Sequence, residues 1–446
     1  MIKQKLIPEL RFPEFKNEGE WEETTLGDIG NFIGGGTPDT AETKYWNGNI
    51  QWYTPTEVKE GKVGKSIRTI TEDGLRNSSA KLLPKGSLLL TTRATIGDIA
   101  IADFECTTNQ GFQSLVVNET EANTFWFYWI IQHKNELLKK ASGSTFPEIG
   151  KNEITKIKAL KPNKYEQQRI ASCLSSLDEV IAAHSQKLDA LKNHKKGLMQ
   201  NLFPQSRLNC DSFDSNDEND FNNQSNQENH KNHSSDNIPK YRFKEFENDG
   251  EWVEKKLGKV FSIFQGFAFS SDESVANGTR WLKIADVGIQ QMKNDTPSFL
   301  PKNFQELYKK FLVKKGDYVL ALTRPILNMQ LKIARVDNIF HNALLNQRVG
   351  KIVTNNNESF VYYLLQTAEM VYCINNNIAG NEPPNLSFQQ IENILIFIPQ
   401  SPQEQQKIAS CLSSLDALIT AQAEKIEQLK WHKKGLMQGL FPKMSE

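Results

Sequence analysis

The stretch "EQQRIASCLSSLD", Glu166 to Asp178, returns as "EQQKIASCLSSLD", Glu404 to Asp416, with one change in 13 positions. "HKKGLMQNLFP", His194 to Pro204, returns as "HKKGLMQGLFP", His432 to Pro442, again with one change. Both pairs share an offset of 238 residues, so nothing is inserted between the two motifs of each copy. A third match lies upstream, where "RFPEF…GEW" (Arg11 to Trp21) returns as "RFKEF…GEW" (Arg242 to Trp252) and Leu26-Gly27 as Leu257-Gly258, at offset 231. Self-similarity on this scale marks a duplicated architecture. The chain therefore reads as two tandem units, about 8–204 and 239–446. Each has an opening motif, a divergent body and a closing 39-residue segment. A chain of 446 residues has room for two or three cores.

The closing segments predict long helices. In the first copy Ile170, Leu174, Leu177, Ile181, His184, Leu188, Leu191, Lys195, Leu198 and Leu202 keep a strict 4-3-4-3 spacing. In the second, Ile408, Leu412, Leu415, Ile419, Gln422, Ile426, Leu429, Lys433, Leu436 and Leu440 keep the same one. That is a coiled-coil seam. Pro162 and Pro402 precede the helices, and Pro204 and Pro442 end them. Each would be roughly 55 Å long. Two arrangements fit: each helix covers its own body as an amphipathic lid, or the two pair with each other. Both seams turn polar at the same slots, His184 and Gln422 at one, Lys195 and Lys433 at the other. Matched interruptions of this kind fix register, so antiparallel pairing is the expectation, with the bodies at opposite ends. Cys173 and Cys411 flank the seam and read as small packing residues.

Both bodies read as mixed α/β. Strand-like runs are Ser87–Thr91, Ile99–Ala102, Ser114–Val117, Tyr318–Leu322, Lys332–Val336 and Gly350–Val353. Helical patterns cover Thr124–Lys140 and Ser359–Asn375, and a strand runs into each long helix at Ile157–Leu160 and Ile394–Ile398. Polar features recur in order. "LLPKGSLLLTTR" (Leu82 to Arg93) parallels "VKKGDYVLALTR" (Val313 to Arg324). "TNQGF" (Thr108 to Phe112) parallels "LNQRV" (Leu345 to Val349). Glycine turns at Gly34-Gly35-Gly36-Thr37-Pro38 and Gln265-Gly266 precede the tryptophan strands "IQWYTPTEV" (Ile50 to Val58) and "RWLKIADV" (Arg280 to Val287).

Arg, Asn and Gln read base edges bidentately, while Thr and backbone N–H groups hold phosphates. On that chemistry the candidate DNA-contacting residues are Thr37, Trp52, Thr92, Arg93, Asn109 and Gln110 in the first body. In the second they are Gln265, Lys283, Thr323, Arg324, Asn346, Gln347 and Arg348. The competing reading is that these recurrences hold a shared fold through turn chemistry.

Net charge is zero, but the segment from Gln205 to Ile238 carries seven acids against Arg207 and Lys231, so it holds −5 and the remainder +5. This Asn-, Ser- and Asp-rich stretch reads as a flexible linker, and the modestly basic remainder is compatible with nucleic acid. The start lacks an apolar signal core, no apolar run reaches a membrane span, and the five cysteines have no metal or Cys-x-x-Cys spacing. A reducing cytoplasm is the expected compartment.

Catalytic signatures are weak. Gly34–Gly36 lacks the lysine of a phosphate loop. Asn381-Glu382-Pro383-Pro384-Asn385 misses the aromatic and the spacing of an adenine methyltransferase site. Asp39 with Glu57-Val58-Lys59 fits a metal-dependent nuclease loosely, and the second body lacks it. His133 and His341 have no evident nucleophile or ligand partner. A self-contained endonuclease or methyltransferase is therefore a minor alternative, as is a two-headed module for protein or glycan.

Taken together, "EQQ(R/K)IA", "KKGLMQ(N/G)LFP", "PELRFPEF…WE", "GGGTP" and "KGSLLLTTR…IG…TNQGF" resemble the type I restriction-modification specificity subunit family. The resemblance covers nearly all of the chain except the linker. It implies two target-recognition domains (1–165 and 239–403), a central and a C-terminal helical spacer (166–204 and 404–446) pairing as an antiparallel coiled coil, and a linker (205–238). It implies a non-catalytic subunit whose domains each read half of a bipartite, asymmetric double-stranded DNA site. Its partners would be two modification subunits that carry S-adenosylmethionine and methylate adenine, and motor-nuclease restriction subunits that use ATP and Mg²⁺. No metal or cofactor would bind this chain itself.

Overall fold

The computed structural model describes residues 6–58, 61–93, 95–143, 147–204, 237–378 and 383–443. Most of the expected linker, 205–236, lies outside the described residues. The chain forms two compact units, 1–186 with 423–446, and 187–422. These units do not coincide with the tandem repeats. Their borders fall in the middle of the long helices Lys164–Asn201 and Pro402–Leu440. Each unit thus holds one body, the first half of the helix that follows it, and the last half of the other helix.

The first unit holds three sheets, one of them the antiparallel pair Glu22–Thr25 with Lys158–Lys161. Five strands run in the order Gly30–Gly34, Gln113–Val117, Leu88–Leu90, Ile99–Ala102, Gly61–Val63. Three more run Arg68–Ile70, Trp46–Tyr53, Cys106–Thr108, the last two parallel. In the second unit four strands run Ser262–Gln265, Val349–Val353, Tyr318–Ala321, Ile333–Arg335, and three run Phe299–Leu300, Thr279–Leu282, Leu344–Leu345. The tryptophan strand again pairs in parallel, Trp281 with Leu344 and Leu282 with Leu345. The strand runs read from the sequence therefore supply the three central strands of the five-stranded sheet, and in the four-stranded sheet the two central strands and the edge strand Ile333–Arg335.

Each expected body helix is broken in two. Asn123–Gln132 and Lys134–Lys140 meet at His133, whose ring stacks on Trp129 with centroids 4.2 Å apart. Glu358–Leu364 and Ala368–Ile378 meet near Thr367, whose hydroxyl accepts from Met370 N. In Asn123–Gln132 the run Phe125–Ile130 is buried without a polar face, because this helix lies inside the core rather than on it.

The recurring motifs are the joints between body and frame. Arg11 donates to both carboxylate oxygens of Glu166 at 2.8 and 2.7 Å, and Trp21 Nε1 donates to the same carboxylate at 3.4 Å. Arg242, Glu404 and Trp252 repeat this at 2.7, 2.7 and 3.1 Å. Gln167 accepts from Ala122 N and donates to Pro162 O; Gln405 accepts from Asn357 N and donates to Pro399 O. The opening motif and "EQQ" recur because they are two sides of one contact. Both glutamates are 1% exposed, and removing one partner of such a pair strands a buried charge at a cost of about 3–5 kcal/mol. Glu404→Ala is expected to lower the unfolding free energy of its unit by that amount in urea denaturation.

The ends of the long helices explain the rest of the repeat. In the first unit Met437, Leu440 and Phe441 join the core containing Ile170 and Leu174, and the Phe441 ring packs on Phe125 at 5.4 Å and Trp21 at 6.4 Å. In the second, Leu202 and Phe203 join the core containing Ile408 and Leu412, with Phe203 on Phe360 at 5.6 Å and Trp252 at 6.3 Å. "LFP" therefore docks each helix end into the unit built on the other repeat's body. Every apolar seam position is buried or half-buried. The polar slots have partners in place: Lys433 pairs with Asp178 at 2.7 Å, and Lys195 with Asp416 at 2.6 Å. Each aspartate also accepts a body phenol, Tyr128 on Asp178 and Tyr363 on Asp416, both at 2.7 Å. Burial, more than the carboxylate, pushes both phenols above their ordinary range, so they stay protonated donors. The helices run antiparallel within each unit, since 433–441 meets 178–170 and 195–203 meets 416–408.

Candidate nucleic-acid interface

In each body three turns converge, and their backbones are tied in the same way. In the first, Asn109 N donates to Tyr53 O, and Asn109 Oδ1 accepts from Gly111 N at 2.8 Å. Gly36 N donates to Thr108 O, and Thr92 N to Gly111 O. In the second, Asn346 N donates to Leu282 O, and Asn346 Oδ1 accepts from Arg348 N at 3.0 Å. Phe267 N donates to Leu345 O, and Leu322 N to Arg348 O. Gly35 and Gly266 hold the closest approach: a Cβ on either would sit 2.0–2.2 Å from a carbonyl oxygen of the Asn-Gln turn. Only glycine allows that contact.

These ties give a residue-by-residue correspondence between the bodies. It differs by one residue, along the whole run, from the alignment that pairs Arg93 with Arg324. Gly86 matches Gly316, Leu88 matches Tyr318, and Thr92 matches Leu322, so Arg93 stands opposite Thr323 and not Arg324. Arg93 bridges to Glu148 as Thr323 bridges to Asn385. Arg324 lies one residue beyond, in the left-handed region at φ 47°, with its N–H on Pro384 O at 2.7 Å. The recurring Arg in the two runs is thus not one structural position.

The candidate residues separate into two groups. Trp52 is 4% exposed, donates from Nε1 to Gly36 O and packs on Trp46; Thr92 is 1% exposed and bonds Gly111 O. Both were expected to face DNA, and both instead hold the turn frame from inside. Asn109 and Asn346 are half-buried and spend their side-chain oxygens on the turn. Lys283 is half-buried, its ammonium 3.8 Å from the centre of the Trp281 ring and its N–H on Asp286.

The others lie at the tips. Gln110 is exposed, and its Oε1 accepts from Thr37 Oγ1 at 2.5 Å. Arg93 is half-exposed in a 2.8 Å pair with Glu148, an arrangement weak enough in water to exchange partners. Gln265, Arg324, Gln347 and Arg348 are exposed, with Gln265 Nε2 donating to Gln347 O at 2.8 Å. Thr323 Oγ1 donates to Asn385 Oδ1 at 2.7 Å. A cleft beside this tip is lined by Gln265, Leu322, Asn385, Gln389 and Gln390.

Glu148 and Asn385 were not singled out from the sequence. The signal lay downstream, where Ile154 and Ile157 recur as Ile391 and Ile394 at offset 237 and carry the preceding loops into register.

Several residues of the minor catalytic alternatives have structural partners. Glu57 caps the turn Pro55–Glu57 through Thr54 and accepts from Ile67 N. Lys59, Asn381 and Glu382 lie outside the described residues. Burial pushes the His133 imidazole below its ordinary range, and His341 Nδ1 accepts from Lys315 N. Among the described residues no group of three or more His, Cys, Asp or Glu could hold a metal ion, and no helix is long and apolar enough to cross a membrane.

One turn frame built twice, with different side chains at its tips, defines a duplicated, two-headed recognition protein. The chain belongs to the type I restriction-modification DNA specificity domain family, whose model matches residues 18–193 and again 249–430. Each match takes in a body and most of the helix that follows it. The chain is 26% identical over 431 residues to the MjaVIII specificity subunit of Methanocaldococcus jannaschii, covering 96% of this chain and 92% of that one. It is 28% identical to the MjaIX specificity subunit of the same organism, covering 95% and 92%. The EcoR124I/EcoR124II specificity subunit of Escherichia coli is 32% identical over 36% of this chain and 42% of its own length. The fold is that of the type I restriction-modification S subunit from M. genitalium, with a TM-score of 0.59 at 15% identity over 98% of this chain and all of that one. The two bodies are accordingly the two target-recognition domains of a type I specificity subunit.

Proposed function

We propose that this chain is a non-catalytic subunit that binds a bipartite, asymmetric double-stranded DNA site, one half per body, and directs adenine methylation and restriction by its partners. The observation that carries this reading is the shared turn frame, which holds Gln110 and Arg93 in one body and Gln347, Arg348 and Arg324 in the other at exposed tips. Such side chains read base edges, and two readers in one chain multiply discrimination, since each mismatched pair costs about 1–3 kcal/mol. The long helices act as the ruler between half-sites, as dimer spacing does in other two-headed readers. They also offer the repeated surface on which two modification subunits would dock. S-adenosylmethionine would belong to those subunits, which must extrude the target adenine, and ATP with Mg²⁺ to the restriction subunits. The site of action is the cytoplasm. The test is binding of the chain, assembled with its modification subunit, to duplex DNA at 50–200 mM salt, roughly the range over which phosphate contacts are lost. Affinity that falls steeply with salt supports the reading. Salt-independent binding, or none, favours a module for a non-nucleic-acid partner.

A further inference from the structure

The correspondence between the bodies identifies positions where the frame is the same and the side chain is not. Phe267 occupies the backbone position of Gly36, and Arg348 that of Gly111. In the first body both positions are closed to side chains. A Cβ on Gly36 would lie 2.3 Å from Ser79 Oγ and 2.4 Å from Ala80 N, and one on Gly111 2.8 Å from Pro55 Cγ. In the second body the same two positions carry side chains that reach solvent.

Phe267 is 37% exposed at the tip of a polar turn. Its backbone is fixed by bonds to Leu345 O and from Gln347 N. Its ring is backed by Tyr308, Phe269 and Phe311 at centroid distances of 4.8, 5.0 and 5.3 Å. The exposed edge is therefore held in place before any ligand arrives. Beside it stand Gln265 and Gln347, joined by a 2.8 Å bond, and then the exposed Arg348. A rigid apolar edge, an amide and a guanidinium side by side match the major-groove face of adjacent base pairs. The thymine 5-methyl is its apolar feature, and guanine O6 and N7 accept a guanidinium bidentately.

We propose that Phe267 and Arg348 are specificity-determining residues of the second body, Arg348 reading a guanine and Phe267 the 5-methyl of a nearby thymine. This rests on the DNA-reading function proposed above. It deepens that function by assigning the asymmetry of the site to two positions where the first body can hold only glycine.

The test is selection from a randomised duplex library by the full chain assembled with its modification subunit, comparing wild type with Arg348→Ala, Phe267→Ala and Phe267→Leu. Arg348→Ala is expected to flatten the preference at one G·C pair of one half-site, a loss of about 5- to 150-fold in discrimination, with the other half unchanged. Phe267→Ala is expected to erase the preference for thymine over deoxyuridine at a neighbouring position, measured on the selected duplex and its deoxyuridine counterpart. Phe267→Leu keeps an apolar contact and is expected to keep that preference, which separates loss of the contact from loss of the fold. A gapped wild-type motif left intact by Arg348→Ala and Phe267→Ala, or wild-type affinity equal for thymine and deoxyuridine, overturns this inference alone. A wild-type selection yielding no gapped motif overturns the DNA-reading function beneath it.

Discussion

A chain whose residues 28–160 are exchanged for the corresponding body of another family member will direct modification to a site with one half new and the other unchanged. The exchange leaves the main joint in place, because Arg11, Trp21 and Glu166 all lie outside it. A second joint, Ala122 N on Gln167, uses a backbone donor and so tolerates a change of side chain. A third needs a phenol at the position of Tyr128 to meet Asp178, and a donor body should be chosen to supply one. The change in the exchanged half is expected to be complete, since several base pairs each contribute about 1–3 kcal/mol of discrimination. Sequencing of modified DNA reads the result directly, and a change in both halves would refute independent readers.

Leu177→Asp combined with Leu415→Asp is expected to abolish sequence-specific binding. Leu415 is 6% exposed and Leu177 half-buried, both one residue before the aspartates that receive Lys433 and Lys195. Truncating a buried leucine to alanine costs about 2–5 kcal/mol, and an unpaired carboxylate in its place costs more. The loss falls on the pairing of helix halves within each unit. Gel-shift titration against the cognate site is expected to show only weak, salt-sensitive binding, while far-UV circular dichroism retains the strand signal of the bodies. Specific binding that survives both substitutions would sink the ruler.

The frame was legible because its physics is written in period and repetition. The 4-3 spacing from Ile170 to Leu202 marks a buried seam, and near-identity of the copies marks a contact made twice. What the spacing did not reveal is that each helix crosses from one unit to the other at Gln186 and Gln422. The expected antiparallel pairing is found within each unit, and the first half of each helix also covers its own body while the second half docks through Phe203 or Phe441 in the other unit. The bodies were less legible because their loops differ in length. Structural equivalence runs at offset 231 at Gly35, 229 at Trp52, 230 at Leu88 and 237 at Asn109. A drift of one residue was enough to pair Arg93 with Arg324. Trp52 and Thr92 drew attention through residue type and recurrence, yet what recurs there is packing and backbone bonding. The divergent positions, Phe267 and Arg348 against Gly36 and Gly111, share backbone bonds and not sequence offset, at 231 and 237.

The central claim, that two separated readers in one chain specify one DNA site, is tested most directly by a methylome. The chain is co-expressed with its modification subunit in a methylation-free host, and modified bases are mapped by single-molecule sequencing. A two-part, gapped adenine motif that disappears when this chain is omitted is the predicted result. Modification at a continuous motif, or the same gapped motif without this chain, would contradict it.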